Sequence, residues 1–330
     1  MKGNPFLSET YQNSWLKHFS KSATANTFNF ISGIGFLKKK LGLVYVNVGL
    51  NHTNGTDYKL LKANDFKGKV FLVYDVQGFI DIGETNADKN LKVNKVKQYK
   101  GSLAKFEGFD TFEAYLKSQI SAKGRSKLRG LENKLHKDFT VEIKQFYGSI
   151  EENEYNFLME RFYSLLKQRF DQLGLDNDIL QKWDFYHEVS FKLVNEGRAV
   201  FNVVMINGNV GAISLEFVSD HHVIGAIKTF DIQYSQYRLG NIELNELLKW
   251  TFENKFEALD FSKGDQEYKS RFTNEDYDFE CHILYDKSSV VSRFIGLGYV
   301  KYFEFKQYLR DKDINTKVSK LKHKLKSLKR

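Results

Sequence analysis

Between Ala199 and Asp231 the chain carries three runs dominated by apolar and β-branched positions: AVFNVVMI, NVGAISLEFV and HVIGAIKTFD. They are separated by Asn207-Gly208 and by Ser219-Asp220-His221. Asn-Gly between apolar runs is the strongest short hairpin signal, because both residues accept the positive φ that a two-residue turn requires. A three-strand meander is expected here. Upstream, Phe157, Leu158, Phe162, Leu165 and Leu166 recur at helical intervals up to Gly174, and Ser149 with Glu152 has capping-box spacing, so this segment predicts a helix. Downstream, IELNELLKWTFENK after Gly240 reads as a helix and ALDFS as a short strand. The run ending FIGLGYVKYFEF reads as a last helix and strand, with Gly298 closing the helix.

The first third has a different pattern. A helix is expected around Ser8 to Phe19, followed by NTFNFIS, LVYVNVGL and KVFLVYDV with glycine and asparagine turns between them, the signature of an antiparallel sheet. Asp110 to Lys137 is charged and helical in pattern, with Asp110 and Glu113 placed as cap and reciprocal partner and Gly124 and Gly130 as breaks. This segment is expected to join two halves, since 330 residues exceed the usual size of one core.

Composition narrows the class. Hydrophobic content of 42% with 15% aromatics excludes a disordered chain. Cys281 is the one cysteine, so no internal disulfide can form. The N-terminal MKGNPFLSETYQNSW lacks the apolar core of a signal peptide, and no stretch approaches the roughly 20 apolar residues that span a bilayer. A cytoplasmic protein is expected on these grounds. The net charge of +9 would suggest nucleic acid, but seven cations without an acid sit in the last stretch, KVSKLKHKLKSLKR from Lys317 to Arg330. The body before it is nearly neutral, which argues against a surface built to coat DNA.

Candidate chemistry centres on the glycine turn after the meander. If Gly240 opens a helix, the N–H groups of Gly240, Asn241 and Ile242 point outward and the helix dipole adds positive charge, an arrangement that suits a pyrophosphate. Glycine lets a phosphate approach the backbone closely. Two stretches around it carry a resemblance. FDIQYSQYRLGNIEL, with Asp231, Tyr234, Tyr237 and Gly240, and LDFSKGDQEYKSRF, with Asp260, Gly264, Asp265, Tyr268 and Lys269, resemble motifs of the GNAT acyltransferases of the CelD-like group, distant relatives of the FemAB aminoacyl transferases. SAKGRSKLRGLENKL, with Arg125 and Arg129, is a weaker echo of the basic helix that opens that family's domain. The resemblance covers roughly Ile120 to Phe272. Arg238-Leu239 stands where the family has Ser-Pro, and Ile242 replaces the second glycine of the wider superfamily's turn.

The resemblance implies an α+β fold of two GNAT-like halves in tandem, each a mixed, mostly antiparallel sheet flanked by helices. The boundaries expected are 1–115 for an N-terminal half, 116–310 for the acyltransferase domain and 311–330 for a basic amphipathic tail. It implies an N-acyltransferase that moves an acyl group from acyl-CoA, acetyl-CoA in the simplest case, onto the amine of a small-molecule acceptor of the sugar or cell-envelope-precursor kind. Arg238, Leu239, Gly240, Asn241 and Ile242 would hold the carrier. A backbone N–H within Ile227 to Phe230 would face the thioester oxygen. Asp231, or else Glu216, would be the base, and Tyr268 would protonate the leaving thiolate. Lys269, Arg125, Tyr237 and Asp265 would contact substrate.

Other chemistries fit less well. His221 with His222 and Cys281 with His282 are adjacent and not spaced as ligand pairs, so no metal is expected. No Gly-x-Ser-x-Gly elbow is present, and Gly33-x-Gly35 and Gly296-x-Gly298 lack the third glycine of a dinucleotide fingerprint. Two alternatives stay open: an aminoacyl-tRNA-dependent FemAB-like transferase, and a non-catalytic GNAT-fold binder. For the binder, the tail, with Val318, Leu321, Leu325 and Leu328 on one helical face among lysines, would contact an anionic membrane or RNA.

Overall fold

The computed structural model describes residues 3–21, 23–40, 42–264 and 268–312. The chain begins with α1 (Glu9–Phe19), β1 (Asn26–Phe28), β2 (Ile31–Lys38), β3 (Val44–Asn47), β4 (Lys59–Leu60), β5 (Val70–Gln77) and β6 (Leu91–Lys105). Next come α2 (Phe112–Gln119), α3 (Ala122–Asp138), β7 (Val141–Tyr147), α4 (Glu152–Leu173) and α5 (Trp183–Asn195). The rest is β8 (Ala199–Ile206), β9 (Asn209–Val218), β10 (His222–Phe230), α6 (Leu239–Glu253), β11 (Ala258–Lys263), β12 (Glu275–Asp286) and α7 (Val290–Asp311).

The contacts divide the chain into two units, Met1–Ala23 with Lys100–Tyr277, and Thr24–Tyr99 with Asp278–Arg330. One boundary near residue 115 was expected, but the chain passes between units three times. The physical reason is where two helices find their cores. α1 packs on α5, with Tyr11 edge-on to Phe185 at 5.6 Å and Lys17 paired to Glu188 at 2.6 Å, while the last helix, α7, covers strands of the other unit.

In the first unit the sheet order is β6-β11-β10-β9-β8-β7, antiparallel throughout except for the parallel pair β10 and β11. The Asn207-Gly208 turn has φ of 50° and 78° at its two residues, the mirror-image turn its sequence demands. Helix α6 covers one face through Leu244, Leu247 and Leu248 against Val200, Val218 and Leu259. On the opposite face Tyr155 and Phe162 of α4 meet Phe201 of β8. Helix α4 ends at Gly174 in the left-handed conformation, as its spacing predicts. Its start differs from the expected Ser149 capping box: Glu151 is the N-cap and makes no side-chain cap bond. The preceding segment is instead fastened to the end of α5, with Ile150 N donating to Asn195 Oδ1 and Gly148 N to Val194 O. α5 itself was not anticipated, although its buried Phe185, Val189, Leu193 and Val194 have helical spacing.

The connection between Asp110 and Lys137 also breaks elsewhere than at its glycines. Thr111, not Asp110, caps α2 by accepting from Ala114 N, and Ser121 caps α3 by accepting from Gly124 N. Gly124 and Gly130 lie inside α3.

The second unit holds β1-β2-β3-β5-β12 in that order, with β4 on β2. Its strands are antiparallel except β3 with β5, which run parallel because a long connection carrying β4 returns the chain to the same end. α7 lays Val300 and Phe303 on Val70, Leu72 and Ile283. This helix replaces the helix-then-strand expected around Gly298. Gly296 lies against β12, where an added Cβ would sit 2.4 Å from Tyr285 Cδ1, and the helix continues through both glycines. The alternation of VKYFEF mimics a strand, but Val300 and Phe303 reach the core at the i, i+3 spacing of a helix. Both units are thus mixed, mostly antiparallel sheets with helical cover, an α+β arrangement.

Candidate active site

The irregular point of the first unit's sheet is the parallel pair. β10 and β11 are in register only at His222–Ala258, Val223–Leu259 and Ile224–Asp260, after which they part while both continue as strands. The register of β10 with β9 slips between Gly225 and Ile227, so Ala226 is an extra residue, a bulge where the parting begins. Beyond it, Asp231 N donates to Gly211 O on the β9 side at 2.7 Å. Alternation along an antiparallel ladder then turns the amides of Ile227 and Thr229 toward β9 and those of Lys228 and Phe230 toward the open edge. Two backbone donors therefore line a gap between strands.

Helix α6 begins beside the end of β10. Its N-cap is Arg238, exposed and held at φ 53°, ψ 48°, a left-handed conformation uncommon for a side-chain-bearing residue. Asn241 N and Ile242 N both turn back to Arg238 O, at 2.8 and 3.4 Å. Of the amides expected to grip a carrier, those of Asn241 and Ile242 are thus used within the helix. Leu239 N and Gly240 N are the first-turn donors that remain, in the region where the helix dipole is positive. Gly240 itself is pressed on the strand: an added Cβ would lie 3.2 Å from Phe230 Cδ1.

Comparison with known proteins bears on the fold and the domain type. Residues 122–270 match the family model of the acetyltransferase (GNAT) domain. Residues 122–270 resemble a GNAT domain. Among solved structures it is similar to FemX, at 8% identity over 89% of this chain and 95% of that one with a TM-score of 0.58. It is also similar to a conserved protein of unknown function from Bacteroides thetaiotaomicron, at 11% identity over 86% and 91% with a TM-score of 0.53. At these identities the likeness is one of fold. No curated protein sequence matches the chain. The match to the acetyltransferase (GNAT) domain supports an acyltransferase.

Asp231 stands at the end of the parted strand β10. Its Oδ1 accepts from Gln233 N at 3.0 Å and its Oδ2 from Gln233 Nε2 at 2.7 Å, so it caps the 3-10 turn Ile232–Tyr237. It also borders a cleft of about 640 Å³ formed with α4, lined by Arg161, Lys167, Gln168, Asp171 and Gln233. Glu216 is elsewhere. It lies sealed beneath α6 with Glu243, which accepts from Ser214 Oγ at 2.5 Å and Asn202 Nδ2 at 2.8 Å. Burial first, and then the Glu243 carboxylate, push the Glu216 carboxyl well above the usual range, against Ser214 and the Lys228 ammonium. Glu216 Oε2 has no partner. Glu243 was not foreseen; its position on the inner face of a helix that reads as amphipathic was the available signal.

Tyr268, just after β11, is half-buried, and the Lys228 ammonium lies 4.5 Å from its ring centroid. Lys228 was also not foreseen. The other expected contacts are spent within the fold. Lys269 is buried and donates to Phe261 O, Ser262 O and Lys263 O at 2.8, 3.2 and 2.9 Å, so it clasps the end of β11 and does not line the cleft. Arg125 donates to Ile120 O and, at 3.4 Å, to Lys117 O, which closes the end of α2. Tyr237 is buried between α3 and α6, with its hydroxyl on Asp138 Oδ2 at 2.6 Å. Asp265 lies outside the described residues. Among the described residues no cluster has a metal-ligand set, and no helix is long and apolar enough to cross a membrane.

Proposed function

We propose that the gap between β10 and β11 receives the thioester of an acyl-CoA, acetyl-CoA in the simplest case, and that the protein transfers the acyl group to an amine. The observation that carries this reading is the parting of the two strands after Ile224–Asp260, with the Lys228 and Phe230 amides turned into the opening. These donors suit an oxygen that gains charge as the amine attacks. The Leu239 and Gly240 amides and the exposed Arg238 side chain fit the pyrophosphate.

In the step, the amine nitrogen bonds to the carbonyl carbon and the carbon–sulfur bond breaks. The proton of the nitrogen goes to Asp231, whose carboxylate is held in one orientation by Gln233, and the thiolate takes a proton from the Tyr268 hydroxyl. Glu216, sealed in the core, is left as a positioning group and not a base. The acceptor enters through the cleft of about 640 Å³, whose two cations, two acids and amides favour a polar amine of the sugar or envelope-precursor kind.

The test is acetyl-CoA-dependent release of free CoA with a panel of amino sugars and peptidic amines, alongside the melting temperature in acetyl-CoA. Binding to the native state raises the melting point at concentrations well above the dissociation constant. Asp231→Asn keeps the turn cap but cannot take a proton, and should lower kcat by about a hundredfold. No thermal shift and no CoA release would overturn the donor assignment. Full activity in D231N would overturn the base.

A further inference from the structure

The outer face of α7 carries many exposed apolar side chains. Val290 is 73% exposed, Phe294 80% and Phe305 61%, and Val291, Leu297, Tyr302 and Tyr308 are also exposed. At 100° per residue Val290, Phe294, Leu297, Lys301, Phe305, Tyr308 and Lys312 fall within one stripe, opposite the Gly296, Val300 and Phe303 face that packs on the sheet. A monomeric soluble protein rarely leaves so many aromatic side chains in contiguous exposure.

The charges around the stripe are mostly positive. Lys301 sits within it, Arg293 flanks it and Lys312 ends it, while Glu304, paired to Lys301 at 2.7 Å, and Asp311 are the acids beside it. Immediately after α7 the sequence continues for residues 313–330, which lie outside the described residues and hold seven cations against one acid, Asp313. Aromatic rings with lysines beside them are the composition of a helix lying in a lipid interface, where rings enter the headgroup boundary and ammonium groups meet anionic headgroups. RNA would use the cations but leave Phe294 and Val290 in water. A second copy would cover the rings but bring lysine to lysine along the seam.

We infer that α7 is a membrane-docking helix, which seats the protein on an anionic lipid surface by Val290, Phe294, Leu297 and Phe305, with Lys301 and Lys312 in the same stripe meeting the headgroups. This goes beyond the acyl-transfer reading and does not depend on it.

The experiment is co-sedimentation of the full chain with phosphatidylcholine vesicles, with and without phosphatidylserine, comparing wild type with the double variant Phe294→Ser, Phe305→Ser. Both side chains are exposed, so the variant should melt within about 2 °C of wild type. Wild type should bind the phosphatidylserine vesicles, with added salt weakening but not abolishing binding, and the variant should bind at least about tenfold more weakly. Three results would overturn the inference: no binding of wild type, equal binding of wild type and variant, or a concentration-dependent dimer in analytical ultracentrifugation that the variant abolishes. Lys301→Glu gives a second reading with no apolar residue changed, and should also weaken binding to phosphatidylserine vesicles.

Discussion

The ammonium of Lys228 on β10 lies 4.5 Å from the ring centroid of Tyr268, which follows β11, so the two strands that part after Ile224–Asp260 are bridged again across their gap by a cation over an aromatic face. The contact engages the face of the Tyr268 ring and not its hydroxyl.

Tyr268→Phe keeps the ring and the bridge but removes the proton. It should lower kcat for CoA release by about a hundredfold while the KM for acetyl-CoA stays within about twofold. A matching rise in KM with kcat unchanged would make Tyr268 a binding residue and not an acid.

Gly240→Ala places a methyl 3.2 Å from Phe230 Cδ1, beside the two first-turn amides. The stability cost is expected to be small, but the KM for acetyl-CoA should rise by about tenfold, equivalent to about 1.4 kcal/mol. Steady-state kinetics with a melting curve separates the two effects.

Glu216 supplies a pH signature. Its folded-state pKa is raised by burial and by Glu243, so its favourable contribution to stability is full below the ordinary value of 4.5 and is lost as pH rises through the elevated folded value. Glu216→Gln has no charge to gain. The melting temperature of the variant relative to wild type should therefore climb as pH increases above 4.5, and a difference independent of pH would show that Glu216 does not titrate in this way.

Lys269→Met removes the ammonium that holds Phe261 O, Ser262 O and Lys263 O together at the end of β11. Leaving buried carbonyls without a donor should cost about 2–4 kcal/mol in denaturant unfolding. A change below about 0.5 kcal/mol would mean that water reaches those carbonyls.

Much of the fold was legible because it rests on local periodicity. The meander from Ala199 to Phe230, its Asn-Gly turn, helix α4 to Gly174 and the helix after Arg238 are written in the spacing of apolar residues and in turn chemistry. The family motif in FDIQYSQYRLGNIEL likewise pointed to the strand end and helix start where the candidate site lies. The misreadings share a cause. Ser149 fits a capping box, but its neighbours are claimed by Asn195 and Val194 from another helix. Gly298 looks like a helix end, but the helix can continue because Gly296 lets β12 come close.

The sequence alone determined the meander from Ala199 to Phe230, the helices α4 and α6 and the residue types available for acyl transfer, because hydrophobic period and backbone conformational preference act over a few neighbours. Tertiary structure alone decided which polar groups are free. Lys269, Arg125 and Tyr237 are spent on carbonyls and a carboxylate brought near by folding, Glu216 is buried against Glu243, and Asp231 keeps an edge on a cleft. Burial and partner choice are set by groups distant in sequence, and those distances exist only once the sheet has formed.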